Sequence, residues 1–242
     1  MSKNFKQLNN SSGQAVALEN DVTACAARYS CKRAKDRRGY RLLKRIFDIL
    51  FSAAVIIVLL APSLLLCVAI CIESPGAPLY VQRRVGLIGK NGELITFPML
   101  KFRSMYRDAD ERLVELQKFN EADGPLFKMK DDPRVTKIGK FIRKHSLDEL
   151  PQFINCFLGQ LSTVGPRPPL PNEVAVYDNR ALQRLSVKPG ITGYWQIRGR
   201  SDLTFNEMVD LDLLYIKERS LRNDFWVVAK TVKVVIVGGG AY

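Results

Sequence analysis

One long apolar run dominates the pattern of the chain. Residues 49–72, ILFSAAVIIVLLAPSLLLCVAICI, carry no charged side chain over 24 positions. About 20 consecutive apolar residues suffice to cross a hydrocarbon core as a helix. The run starts too late and is too long for a signal peptide, and no clean cleavage site follows it. It is predicted to be embedded in a membrane. Pro62 lies close to its midpoint. Proline removes a backbone donor and clashes with the carbonyl four residues back, so the helix is expected to bend there.

Beyond this run the pattern breaks into short pieces. Residues 78–84 and 93–102 read as extended segments on either side of a glycine-rich turn, 86–92. Residues 108–119 read as a charged helix and 131–133 as a turn. Within 135–144, Ile138, Phe141 and Ile142 fall at helical spacing. After Leu147 the apolar positions Leu150, Ile154, Phe157, Leu158 and Leu161 step by four, three, one and three, which predicts an amphipathic helix. VGPRPPLP, 164–171, is expected to be neither regular helix nor strand, and Pro189-Gly190 to be a turn. Residues 205–218 look helical. Residues 225–237 are apolar apart from Lys230 and Lys233, and predict a core helix or one lying in a membrane surface. Residues 1–40 are polar with no sustained apolar period, a composition that favours disorder. The expected organisation is an arm over 1–40, a membrane segment over 41–73 and a globular domain over 74–242. The fold class is α/β but mostly helical, with surface amphipathic helices.

Charge sharpens the membrane reading. The 242 residues carry 37 basic and 24 acidic side chains, a net charge of +13. Such an excess points to an anionic partner: nucleic acid, a phospholipid surface or phosphorylated substrates. Residues 28–45 hold nine basic residues and one acid, a net +8. A basic arm for nucleic acid has this composition, and so does a juxtamembrane segment; the apolar run that follows favours the second. Arg37, Arg38, Arg41, Lys44 and Arg45 precede the run, and Arg83, Arg84 and Lys90 follow it. Positive charge prefers the cytoplasmic side. Both flanks favour one side, which a helix that dips in, breaks at Pro62 and returns would satisfy. A tilted, kinked transmembrane helix is the alternative.

Candidate chemistry centres on adjacent acids, Asp148 and Glu149. Ser146-Leu147-Asp148-Glu149 also fits the spacing of a helix capping box, the structural explanation for the pair. Three features shift the balance toward chemistry. Arg134, Lys137, Lys140, Arg143 and Lys144 crowd the pair in sequence. The stiff VGPRPP loop presents Arg167, whose fork suits a phosphate. KPGITGYWQIRGRS, 188–201, mixes glycines and cations with Tyr194 and Trp195; such a loop can approach a ligand, stack on a base and hold phosphates. Two acids can serve Mg²⁺, which takes one or two carboxylates plus phosphate oxygens. An aspartate can also attack phosphorus. Competing motifs fail: GLIGKNG lacks the P-loop spacing, and there is no G-x-S-x-G or H-E-x-x-H. Five scattered cysteines form no disulfide framework, and the single His145 argues against a histidine-based zinc site.

The stretches KRIFDILFS (44–52), YVQRRVG (80–86), LKFRSM (100–105), 131–169 with its SLDELPQ and VGPRP blocks, KPGITGYWQIRGRS (188–201) and DLDLLYIKERSL (210–221) resemble the bacterial sugar transferase family. These are the monotopic polyprenyl-phosphate phosphoglycosyl transferases, and the resemblance covers about residues 40–242. It implies a re-entrant helix-break-helix and a catalytic domain on the cytoplasmic face of the bacterial inner membrane. It implies transfer of a sugar-1-phosphate from a UDP-sugar to polyprenyl (undecaprenyl) phosphate, with release of UMP, as a first step of polysaccharide or glycan assembly. Carried over residue by residue, Asp148 is the nucleophile and Glu149 helps hold Mg²⁺. Lys101, Arg143, Arg167 and Asp212 take substrate or phosphate roles, and Pro62 makes the helix break. The family often carries Ser-Pro at the break, where this chain has Ala61-Pro62 with Ser63 after it. Expected partners are UDP-sugar, polyprenyl phosphate and the lipid bilayer, with no nucleic acid and with a homodimer left open. The competing reading is a membrane-anchored binding protein, its basic arm on anionic lipid or nucleic acid and no turnover.

Overall fold

A computed structural model of the protein describes residues 37–89, 93–121, 127, 129–199 and 203–237. Most of the polar arm expected over 1–40 lies outside these residues, as do 90–92 of the glycine-rich turn and Arg200 and Ser201 of the 188–201 loop. Helix α1 spans Arg38–Glu73. Strands β1, Leu79–Ile88, and β2, Leu94–Phe102, form an antiparallel hairpin. Helix α2, Ala109–Leu116, passes into a 3₁₀ turn, Gln117–Phe119, where one charged helix is expected. Helix α3 is Lys137–Lys144, and α4 is Gln152–Leu158. Short strands β3, Ser162–Val164, and β4, Gly190–Thr192, pair in parallel. Between them lie α5, Pro171–Ala175, and α6, Asn179–Leu182. Helices α7, Tyr194–Arg198, α8, Phe205–Glu218, and α9, Leu221–Val237, complete the order.

Local chemistry accounts for several boundaries. The Thr136 hydroxyl accepts from Gly139 N and starts α3. Thr204 and Glu207 form a reciprocal capping box that starts α8. Gly159, at φ 86°, closes α4 in the left-handed region where a side chain is strained. The proline-rich loop is shorter than its sequence suggests. Val164 still belongs to β3, and Pro171 opens α5 at the first helical position, where its missing N–H has no intrahelical partner to lose.

The core is divided among several clusters. Val85, Ile88 and Leu94 of the hairpin pack on Val174, Tyr177, Leu182, Leu185 and Val209. Val164, Tyr194, Tyr215 and Val227 bring β3 together with α7, α8 and α9. Ile70, Phe102 and Ile142 join the end of α1 to β2 and α3.

Helix α1 is continuous through Pro62, where a break in helical structure is expected from sequence. Its most apolar 18 residues have a mean hydropathy of 3.1. Both of its ends dock on the same domain. Near the start, Asp48 accepts from Thr163 N at 2.9 Å, and Arg45 donates to the carbonyls of Cys156 and Phe157 at 2.8 and 2.7 Å. These bonds occupy orphan carbonyls at the end of α4. Phe51 meets Phe153, ring centroids 5.9 Å apart. At the far end Ile70 is buried, and Glu73 accepts from the backbone amides of Lys137 and Ile138 at 2.7 and 2.8 Å, capping α3. Between the two docked ends no side chain is buried: Ile57, Val58, Leu60, Ala61, Pro62, Leu64 and Leu65 are exposed across a broad side of the helix, and Leu59 and Ser63 on the opposite side are half-buried.

Candidate active site

The carboxylate pair occupies a 3₁₀ turn, Leu147–Glu149, between α3 and α4. No capping box forms there. Ser146 adopts a left-handed φ of 55°, and its side chain makes no capping bond. Helix α4 starts only at Gln152, after Pro151. The S-x-x-E spacing therefore marks a turn that presents the acids, and helix initiation falls to other residues.

Asp148 is 9% exposed. Burial pushes its carboxyl up to about 6; Lys101 and Arg143 oppose the rise and Glu149 adds to it. Lys101 Nζ lies 3.3 Å from Glu149 Oε1 and 4.0 Å from Asp148 Oδ2. Strand β2 carries Lys101, and Asn155 fixes that strand against α4. Its side chain accepts from Leu100 N at 2.9 Å and donates to the Pro98 carbonyl at 2.7 Å. The strand with the cation and the helix that follows the acids are thus joined by one buried amide. Arg143, on α3, donates through Nε to Ser104 Oγ at 2.9 Å. Burial lowers its guanidinium from the usual arginine range, and the nearby Asp148 charge works against that fall.

Beside the pair is a cavity of about 70 Å³. Lys101, Glu149, Arg167, Arg84 and Trp195 line it. Residues expected together from sequence do meet here: Lys101 and Glu149 with the arginine of the proline-rich loop and the tryptophan of the 188–201 loop. Two glycines make that meeting feasible. A Cβ on Gly190 would stand 2.0 Å from Gly165 N, and Gly165 N and Gly190 N donate to the carbonyls of Thr192 and Pro166. The indole N–H of Trp195 is buried and has no hydrogen-bond partner among the described residues. A buried, unmatched donor in a cavity wall suits a ligand acceptor.

Asp212 is placed differently. It is fully buried and receives Arg184 Nε at 2.7 Å, while Arg184 also donates to Tyr177 Oη at 3.0 Å. Burial pushes the Asp212 carboxyl up although Arg184 and Arg167 pull it down. Asp212 does not line the cavity.

Several side chains that shape the site have no signal in local spacing. Arg84 counts in the sequence only as a flanking charge of the apolar run. It is buried and donates to the Pro168 carbonyl at 3.0 Å and to Gln82 Oε1, of the same 80–86 block, at 2.6 Å. With Val85 N donating to the Pro169 carbonyl at 2.9 Å, β1 holds the loop that carries Arg167. Glu173 stands 3.6 Å from Arg167 and orients it. In the sequence, the extended pattern over 78–84 and the YVQRRVG block mark this strand.

Among the described residues no three His, Cys, Asp or Glu side chains converge as a metal cage. Two carboxylates in one turn, one of them lining the cavity, match the donor set of Mg²⁺, which draws its other ligands from phosphate and water. Glu149, which lines the cavity, would hold the ion.

Comparison with known proteins places this arrangement. The family described as bacterial sugar transferase matches residues 39–238. A galactosyl transferase of Streptococcus agalactiae, CpsE, is 45% identical over 205 residues, 84% of this chain and 44% of that protein. The undecaprenyl-phosphate galactose phosphotransferase of Salmonella typhimurium is 41% identical over 215 residues, 85% of this chain and 43% of that protein. The exopolysaccharide production protein ExoY of Rhizobium meliloti is 40% identical over 205 residues, 83% of this chain and 88% of that protein. The chain thus spans less than half the length of the first two relatives and most of the third. With the match running from the start of α1 into α9, the chain belongs to the bacterial sugar transferase family.

Proposed function

We propose that the chain transfers a sugar-1-phosphate from a UDP-sugar to undecaprenyl phosphate through a phosphosugar ester on Asp148. The observation that carries this reading is the near-buried Asp148 carboxyl, pushed up to about 6, beside Lys101 and next to a cavity lined by Arg84 and Arg167. At neutral pH such a carboxylate is ionised yet poorly hydrated, so it is basic enough to attack phosphorus. The names of the relatives, an undecaprenyl-phosphate phosphotransferase among them, supply the substrate classes.

In the first half-reaction an Asp148 oxygen bonds to the sugar-bearing phosphorus as that phosphorus loses its bond to the bridging oxygen. UMP leaves with that oxygen and its electron pair. In the second, an oxygen of the lipid phosphate attacks the same phosphorus and the Asp148 ester bond breaks, restoring the carboxylate. Both substrates are anionic, and the covalent stage lets UMP leave before the lipid phosphate arrives. Lys101, Arg143 and Arg167 face the phosphoryl oxygens, whose charge they offset from fixed positions. Arg84 keeps the Arg167 loop in place, and Trp195 meets the base or the sugar. Glu149 would hold Mg²⁺, which would supply a further positive charge to those oxygens.

The same reading extends to α1. Its ends dock on one domain and its middle is bare, so the helix enters the cytoplasmic leaflet, bends at Pro62 and returns. The site then stands at headgroup depth, where the lipid phosphate is.

The test uses the purified full chain and a UDP-sugar labelled at the sugar-bearing phosphorus, with no acceptor present. Label should appear on the peptide containing Asp148, and undecaprenyl phosphate should discharge it. Asp148→Asn should stay folded and membrane-bound and release no UMP. Turnover by that variant at the normal rate refutes the assignment of the nucleophile.

A further inference from the structure

Gln152 is 3% exposed and opens α4. It lines the cavity beside Glu149, and among the described residues none hydrogen-bonds its carboxamide. The cations around that cavity are already engaged: Lys101 with Glu149, Arg84 with Gln82 and the Pro168 carbonyl, Arg167 with Glu173. Two neutral groups on the same wall are not, the Gln152 carboxamide and the Trp195 indole N–H. A buried amide without a partner is costly, so a cavity wall that keeps one is built to meet a ligand there.

The position of Gln152 limits what it meets. Leu150 and Pro151 keep right-handed helical angles, so the chain runs from the acidic turn into α4 without a break. Gln152 then stands one turn after Asp148, about 5–6 Å away between Cβ atoms. A ligand group at Gln152 is therefore one held close to the phosphorus that Asp148 attacks. The uracil is too far off, with the ribose and the second phosphate in between. Phosphoryl oxygens are near enough, but they only accept, which would leave the carboxamide oxygen unmatched. A hydroxyl both donates and accepts. The sugar hydroxyl nearest that phosphorus is the one on C2, beside the anomeric carbon. Size agrees with this. At about 30 Å³ for each water-sized group, a cavity of about 70 Å³ takes a phosphoryl group and little beyond it. Met99 and Ile191 add only apolar surface, which offers no partner to a larger C2 substituent.

We propose that Gln152 is a specificity-determining residue whose carboxamide hydrogen-bonds the C2 hydroxyl of the transferred sugar. The chain then favours a hexose over its 2-deoxy and 2-acetamido forms. The inference rests on the transfer reaction proposed above.

The experiment measures kcat/KM for UMP release, with undecaprenyl phosphate present, for the full chain and for Gln152→Met. Methionine keeps the length of the side chain and removes its polar atoms. The donors are UDP-galactose, UDP-glucose, their 2-deoxy analogues and their 2-acetamido forms. The parent is expected to favour one of the hexoses over its 2-deoxy analogue by roughly 20-fold or more. Gln152→Met should lower kcat/KM for that hexose by a similar factor, and should change it less than about threefold for the 2-deoxy donor. The variant should melt at or above the parent's temperature, because no hydrogen bond of the fold is lost. Equal losses with both donors would assign Gln152 to the phosphoryl group or to the fold and overturn the proposal. A variant that melts well below the parent overturns it too, by showing that the carboxamide serves the fold. The parent's own ratio needs no variant: a preference for the 2-deoxy or 2-acetamido donor, or none at all, is equally fatal. A parent that releases no UMP from any donor sinks the transfer reading itself, whereas any of the other failures in an active parent sinks only the assignment of Gln152.

Discussion

Lys101 Nζ stands 3.3 Å from Glu149 Oε1, with 48 positions of chain between the two residues. The contact joins strand β2 to the acidic turn and puts a cation within 4.0 Å of Asp148 as well. Lys101 favours the ionised form of Asp148, so its removal should raise that carboxyl further. Lys101→Met is expected to move the acidic limb of the pH–rate profile to higher pH. A charge-assisted contact is worth about 1.5–3 kcal/mol, so turnover should fall roughly 10- to 100-fold. The check is a profile of UMP release from pH 5 to 9. A lower rate with an unmoved limb would assign Lys101 to substrate binding alone.

Asp148 also predicts a pH dependence of stability. Its carboxyl is raised from 3.8 to about 6 in the fold, chiefly by burial. A raised carboxyl contributes stability that is present below the unfolded value and is lost as pH rises through the folded one. The window therefore runs from about pH 4 to about pH 6, and the wild-type chain is at its disadvantage above it. Asp148→Asn never ionises, so it should be the more stable protein at pH 7.5, by on the order of 2–3 kcal/mol. Below pH 4 the gap should close. Urea unfolding at both pH values measures it. The wild-type rate should decline below about pH 6, where Asp148 gains a proton.

Much of this site could be read from spacing, and the unread part has a common cause. Periodicity located α3 through Ile138, Phe141 and Ile142, and α8 at its observed bounds, because one apolar face buried on a core fixes a local period. It overextended the helix after Leu147. Leu150 falls in the turn before Pro151, and Leu161 lies beyond Gly159, whose left-handed backbone ends α4. The capping box failed because the motif tests spacing and ignores the backbone angle of Ser146. Arg184, Glu173 and Asp224 carry no signal in the sequence pattern, and Arg84 counts there only as a flanking charge. Each is buried against partners that only the tertiary fold supplies, as Asp224 is with Tyr40 and Lys44, 184 and 180 positions away. A charged residue in a sequence carries no mark of the pair that will bury it.

Asp212 gives a case where the structural role can be separated from a substrate role. Its partner Arg184 is 6% exposed, and removing either member leaves the other charge buried and unmatched. Asp212→Ala should destabilise the chain by about 3–5 kcal/mol. Replacing both, with Arg184→Met and Asp212→Leu, should recover most of that loss. Equilibrium unfolding of the two single variants and the double one gives the coupling. A double variant no more stable than Asp212→Ala would show that the carboxylate has work beyond the pair.

The last prediction concerns α1. Its 36 residues would extend about 54 Å if straight. A straight helix touching one domain near Asp48 and again at Ile70 would lie along that domain and bury one face between them. Residues 57–65 instead bury no side chain, with Leu59 and Ser63 half-buried and the rest exposed, and Pro62 stands among them. A bend there would keep both contacts and would carry that segment away from the domain, into lipid. Single cysteines at Gly39 and Glu115, both exposed, test this in a background with the five native cysteines replaced. A membrane-impermeant maleimide should label both from the cytoplasmic side of inside-out vesicles and neither from the other side. Pro62→Leu restores the missing hydrogen bond and should let a measurable fraction straighten, so that Gly39→Cys becomes accessible from the opposite side in that variant. Opposite-side labelling in the parent would mean a full crossing, and then Asp48 and Ile70 could not both keep the contacts that dock α1 on a single domain.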